Sequence, residues 1–201
     1  SFLAYLVRII LARSLFIEDF GLFYAVFTFI TFFSIFKDFG LRNASVKFIA
    51  EFNVKKEYGK IKTLLLTSWS FQLGFTLLLA LLVFLSSNFL SSNYFQTEKS
   101  LILITIAILY LFSSLLYLHV RSFLKGFQQM FWFSIADPLK LSLTIGLLFL
   151  FFHLNYGLLS PLLAFIFGEV IASIILLIPL FKYSFILKHK AENFKFMTKK
   201  M

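Results

Sequence analysis

LILITIAILYLFSSLLYL, at Leu101–Leu118, carries no charged residue. A helix on the surface of a soluble domain keeps a charged or polar face for water, and this run has only Thr105, Ser113, Ser114 and two tyrosines to offer. Crossing the hydrocarbon of a bilayer takes about 17–25 mainly apolar residues as a helix. The same reading extends outward in both directions, to runs at 1–16, 21–40, 63–85, 101–118, 131–152 and 158–181. A membrane β-barrel would alternate apolar and polar residues along segments of about 10, whereas Phe29–Phe36 and Leu77–Leu85 stay apolar almost without interruption. The expected fold class is all-α: a polytopic transmembrane bundle of six helices.

Composition agrees. Hydrophobic residues make up 60% of the 201 and charged residues 14%, against about 25% charged in a soluble domain. Cysteine is absent, which excludes a disulfide framework and a thiolate metal site. The first methionine is Met130, and no basic segment with a short apolar run and a small-residue cleavage site opens the chain. No signal peptide is therefore expected. The run at 1–16 reads as the outer part of a helix whose beginning is missing.

The net charge of +10 is distributed by side. Lys37, Arg42, Lys47, Lys55, Lys56, Lys60 and Lys62 lie between the second and third runs. Arg121 and Lys125 follow the fourth, and Lys182, Lys188, Lys190, Lys195, Lys199 and Lys200 follow the last. On the opposite side fall only Arg13 and Lys99. Basic loops face the cytoplasm, so six crossings put both ends of the chain there, in the cytoplasmic membrane. This topology accounts for the charge without nucleic acid, and the basic tail can meet anionic membrane lipids. Gly74, Ser113, Ser114, Gly146, Gly168 and Ser173 punctuate the runs, where small side chains let helices approach.

Motifs of soluble chemistry are missing. Asp38-Phe39-Gly40 matches a kinase magnesium motif, but no glycine-rich loop or catalytic loop accompanies it. Asn43-Ala44-Ser45 is a glycosylation sequon on the expected cytoplasmic side, where it stays silent. His119, His153 and His189 are scattered without metal-ligand spacing. The chain is not expected to be an enzyme, and no cofactor or metal is expected.

Ionisable residues inside spans are costly and therefore functional candidates. Arg8 lies roughly 12 Å from the outer end of its run at about 1.5 Å per residue, either lining a polar cavity or holding a neighbouring helix. Arg13 is shallower and can snorkel to the surface. Asp137 and Lys140 flank Pro138. Either Asp137 caps a helix that starts at Pro138, or both lie inside a helix starting near Met130, one turn apart. Glu169 sits at the middle of its run, too deep to snorkel. From the cytoplasmic side Lys140 is roughly 14 Å deep and Glu169 roughly 18 Å deep, matched for an ion pair between consecutive helices. Direct contact with a substrate or proton is the other role open to them.

Several stretches together resemble one family. Leu11-Ala12-Arg13-Ser14-Leu15-Phe16-Ile17-Glu18-Asp19-Phe20-Gly21 is similar to the turn after the first helix of polysaccharide flippases, with Phe16 where the family usually has glycine. Asp38-Phe39-Gly40-Leu41, continuing into Lys47-Phe48-Ile49-Ala50-Glu51, resembles their cytoplasmic segment after the second helix. Arg121-Ser122-Phe123-Leu124-Lys125-Gly126 resembles the exit of the fourth. Asp137 and Leu163-Ala164-Phe165 also fit. This is the Wzx-like branch of the multidrug/oligosaccharidyl-lipid/polysaccharide exporter superfamily.

The resemblance implies the N-terminal lobe of a two-lobe transporter, lacking its C-terminal lobe here, with a lipid-linked glycan as substrate and alternating access as mechanism. A pyrophosphate-linked glycan suits arginine, whose planar fork makes charge-assisted bonds to phosphate oxygens. Arg8, Arg13, Asp137, Lys140 and Glu169 are the cavity candidates. Two alternatives stand beside this reading: a cation-coupled drug exporter, kept open by Asp137 and Glu169, and a non-transporting membrane scaffold or inactive half-protein.

Overall fold

The structure, a computed structural model, describes residues 2–36 and 40–191. Lys37, Asp38, Phe39 and the basic tail with Lys195, Lys199 and Lys200 lie outside the described residues. The described chain is helical: α1 (Phe2–Ser14), α2 (Ile17–Phe36), α3 (Leu41–Val54), α4 (Tyr58–Phe89), α5 (Glu98–Gly126), α6 (Met130–His153) and α7 (Ser160–Leu177). A π-helical turn, Leu90–Phe95, prolongs α4, and a 3-10 helix, Ile178–Lys188, prolongs α7.

Five segments are long and apolar enough to cross a membrane: Ile17–Ser34, Tyr58–Phe95, Glu98–Gly126, Met130–His153 and Gly157–Ile186. With 13 residues α1 is shorter than such a span. Apolar side chains point outward in quantity. Leu77, Leu78, Leu81, Leu82, Phe84 and Leu85 of α4 are all exposed, as suits a surface whose solvent is lipid rather than water.

The helices pack with α7 between α5 and α6, α4 along α5, and α1 against α6 and, more lightly, α2. One apolar cluster joins Val7 and Leu11 of α1, Phe23, Val26 and Ile30 of α2, Leu103 and Ile104 of α5, Leu148 of α6 and Leu162 of α7. Close approach is built at two glycines. A Cβ on Gly168 would lie 2.6 Å from Thr144 Oγ1, so α6 and α7 meet through it. A Cβ on Gly126 would lie 2.9 Å from the Ile49 side chain, where α3 meets α5. Gly74 and Gly146 make no such approach among the described residues.

Two sequence expectations change, and one open alternative is decided. The segment after the second run is not only a loop: α3 is a helix that buries Ser45, Ile49 and Phe52 against α4 and α5. Its turn into α4 is tight, with Lys56 at φ 57, so α4 starts at Tyr58 rather than at Thr63. Of the two readings of Pro138, the helix starting near Met130 is the one found: Pro138 lies inside α6, and Asp137 is not an N-cap. Proline's missing N–H leaves the carbonyl one turn earlier without its usual bond, a cost that packing of the long α6 against α7 absorbs.

Candidate functional site

α5 carries Ser113, Tyr117, Arg121 and Lys125, each one turn further toward its C-terminal end. At 3.6 residues per turn these positions wind slowly around the helix and remain on neighbouring faces. They meet the ionisable residues of α6 and α7, forming a polar ladder through otherwise apolar helices.

The deepest rung is Glu169. Its side chain is 3% exposed, and its Oε2 accepts a hydrogen bond from Ser113 Oγ at 2.9 Å. Lys140 Nζ lies 3.7 Å from Glu169 Oε1 and 4.6 Å from the centre of the Tyr117 ring. A carboxylate taken out of water needs both a countercharge and donors, and α5 and α6 supply one of each.

On the next rung Tyr117 donates to Asp137 Oδ1 at 2.8 Å. Arg121 Nη2 lies 2.7 Å from Asp137 Oδ2. The two carboxylate oxygens thus take bonds from two consecutive turns of α5. Asp137 and Lys140 are one turn apart but serve different partners, Arg121 and Glu169.

Beyond that rung a cavity of about 170 Å3 opens between α3, α5 and α6, lined by Arg42, Asn43, Arg121, Ser122, Lys125 and Phe133 among others. Arg121 stacks over Phe133 with its guanidinium carbon 4.7 Å from the ring centre, and Lys125 Nζ lies 5.5 Å from the same centre. Arg121 Nε is buried and has no hydrogen-bond partner among the described residues.

Arg8 and Arg13 stand apart from this ladder. Both are exposed on α1, whose Val7 and Leu11 are buried. Neither arginine has an ion pair or hydrogen bond among the described residues. The five residues expected from sequence therefore fall into two groups: Asp137, Lys140 and Glu169 within the α5–α6–α7 interface, and Arg8 and Arg13, both exposed on α1 and about 140° apart around it. Sequence reading passed over Ser113 and Tyr117 as members of an apolar run, and treated Arg121 and Lys125 as loop charges. Their spacing of four along one helix was the available signal.

Among the described residues no group of three or more His, Cys, Asp or Glu could hold a metal ion. The model of the family described as Polysaccharide biosynthesis protein matches residues 1–201. Neither a curated protein nor a solved structure matches the chain.

Proposed function

Because the chain belongs to the polysaccharide biosynthesis protein family, a family of membrane transporters, we propose that it flips a lipid-linked oligosaccharide across the cytoplasmic membrane. In this reading its helices form one lobe of a two-lobe transporter, and the glycan carrier passes between lobes by alternating access. In the same reading α1 lies within the first of six crossings, and both ends of the segment face the cytoplasm. The basic residues of α3, of the end of α5 and of the stretch after α7 support that orientation.

The observation that carries the proposal is Arg8. It projects from an apolar helix on the face that α2 and α6 leave uncovered. A lipid-facing arginine near mid-bilayer costs at least about 2.5–3.5 kcal/mol. A polar cavity that receives the pyrophosphate of the carrier removes that cost and gives the guanidinium its matching acceptor. Arg13 then serves the outer mouth of the same path.

The drug-exporter reading needs a membrane carboxylate ready for a cationic cargo. Glu169 already answers to Lys140 and Ser113, and Asp137 to Arg121 and Tyr117, so the carboxylates favour internal pairing. No catalytic step belongs to this function.

Complementation of a strain lacking its own flippase tests the proposal, with protein level measured alongside. The wild-type protein restores glycan export, Arg8→Lys restores part of it because the charge remains without the bidentate fork, and Arg8→Ala abolishes it at normal protein level. Full export by Arg8→Ala overturns the phosphate role of Arg8. Failure of the wild-type protein to restore export favours a scaffold.

A further inference from the structure

We propose that the cavity between α3, α5 and α6 is a binding site for a phosphate group at the membrane surface. The proposal rests on the geometry of this cavity and not on the transport reading. Three cationic side chains, Arg42, Arg121 and Lys125, line it, and no carboxylate among the described residues does. Asn43 and Ser122 add neutral hydrogen-bonding groups at the same wall. A pocket of this composition attracts an anion and rejects a cation.

A second observation is independent of the charge count. Asp137 takes a bond from Arg121 Nη2, and the ring of Phe133 fixes the guanidinium plane. The Nε–H of the same group is buried without an acceptor among the described residues. Buried donors are almost always satisfied, and an oriented guanidinium edge is suited to phosphate oxygens. The arginine is preorganised by Asp137 and Phe133, and the exposed part of its side chain lines this cavity.

Depth selects the same ligand. Arg121 lies five residues before the end of α5 at Gly126, roughly 7.5 Å inward at about 1.5 Å per residue, and Lys125 lies in the last turn. These are the levels at which a lipid's phosphate sits beside the hydrocarbon. Phosphate can reach the cavity as part of a lipid headgroup or as a free anion from the aqueous side. Both sources present the same chemistry to the three cations.

Native mass spectrometry of the purified full chain in detergent tests this with three probes: phosphatidic acid, diacylglycerol and inorganic pyrophosphate. The wild-type protein is expected to hold phosphatidic acid at least about tenfold more tightly than diacylglycerol, and Lys125→Gln to lose about tenfold of that affinity. Lys125→Gln leaves the Arg121–Asp137 pair in place, so a folding defect is not expected, and a melting measurement checks it. Arg121→Lys, which keeps the charge and removes Nε–H, is expected to lose affinity as well. Lys182→Gln makes the same charge change outside the cavity and is expected to leave binding unchanged. A parallel loss with pyrophosphate assigns the site to free anions also, and loss with phosphatidic acid alone assigns it to lipid. Equal binding by wild type and Lys125→Gln, equal loss in Lys182→Gln, or no preference for either phosphate probe overturns the proposal.

Discussion

Lys140 on α6 and Glu169 on α7 face each other across the most extensive helix interface among the described residues, Nζ to Oε1 at 3.7 Å. The interface is close because Gly168, the neighbour of Glu169 in sequence, admits Thr144 from α6. Thr144 in turn donates to the Lys140 carbonyl at 2.9 Å. The packing contact and the ion pair are therefore parts of one arrangement.

Removing one member of this pair strands the other. Lys140→Ala leaves the Glu169 carboxylate buried with Ser113 as its neutral donor, and is expected to cost about 3–5 kcal/mol. The double change with Glu169→Ala is expected to cost less than Lys140→Ala alone. Thermal unfolding of the four proteins in detergent gives the cycle. Strictly additive effects overturn a direct interaction.

Tyr117 and Arg121 hold the two oxygens of Asp137 from successive turns of α5. Tyr117→Phe removes a hydrogen bond to a charged acceptor and is expected to cost about 1.5–3 kcal/mol. Asp137 is 44% exposed and Arg121 28%, so solvent screens their pairing and the ion pair itself contributes at most about 1 kcal/mol. Asp137→Asn should therefore be no more damaging than Tyr117→Phe, and the two together no worse than the larger single effect plus a small remainder. An Asp137→Asn cost well above that of Tyr117→Phe, measured by denaturation, overturns this ranking.

The bundle was legible because uncharged runs such as Leu101–Leu118 admit no soluble reading. The ends of its helices were not. α5 continues to Gly126 because Arg121 and Lys125 find partners while still helical, whereas hydropathy stops at the last apolar residue. α3 hid behind Arg42 and Lys47, although Leu41, Ser45, Phe48, Ile49 and Phe52 recur at helical spacing. In the candidate site, matched depth brought Lys140 to Glu169 on paper, and the structure sets them side by side. The partners of Asp137, Tyr117 and Arg121, showed only through their spacing of four, because helix rotation, which decides what a side chain meets, leaves no mark on mean polarity.

Gly168 and Gly74 make a matched pair for testing close packing. Gly168→Ala drives a Cβ to 2.6 Å from Thr144 Oγ1, and overpacking of this kind costs about 1–3 kcal/mol. Adding Thr144→Ala should recover most of the loss, since it removes the opposing oxygen. Gly74 is exposed on α4 with open space beside it. Gly74→Ala should be neutral or stabilising by up to about 1 kcal/mol, through helix propensity alone. Melting temperatures of the purified variants decide, and a Gly74→Ala loss as large as that of Gly168→Ala overturns the assignment.

α4 gives the topology its sharpest test. Its 32 residues extend roughly 48 Å at about 1.5 Å per residue, well beyond a hydrocarbon core of about 30 Å. Lys55 precedes α4 and Asn93 follows it, and both are exposed. The chain has no cysteine, so Lys55→Cys and Asn93→Cys each introduce a single thiol. In intact cells an impermeant maleimide should label Asn93→Cys and spare Lys55→Cys, which reacts only after the membrane is opened. This pattern follows from the lysines and arginines gathered at the Lys55 end of the bundle, because such charges are retained on the cytoplasmic side during insertion. Labelling of Lys55→Cys alone reverses the orientation, and equal labelling of both in intact cells removes α4 as a crossing.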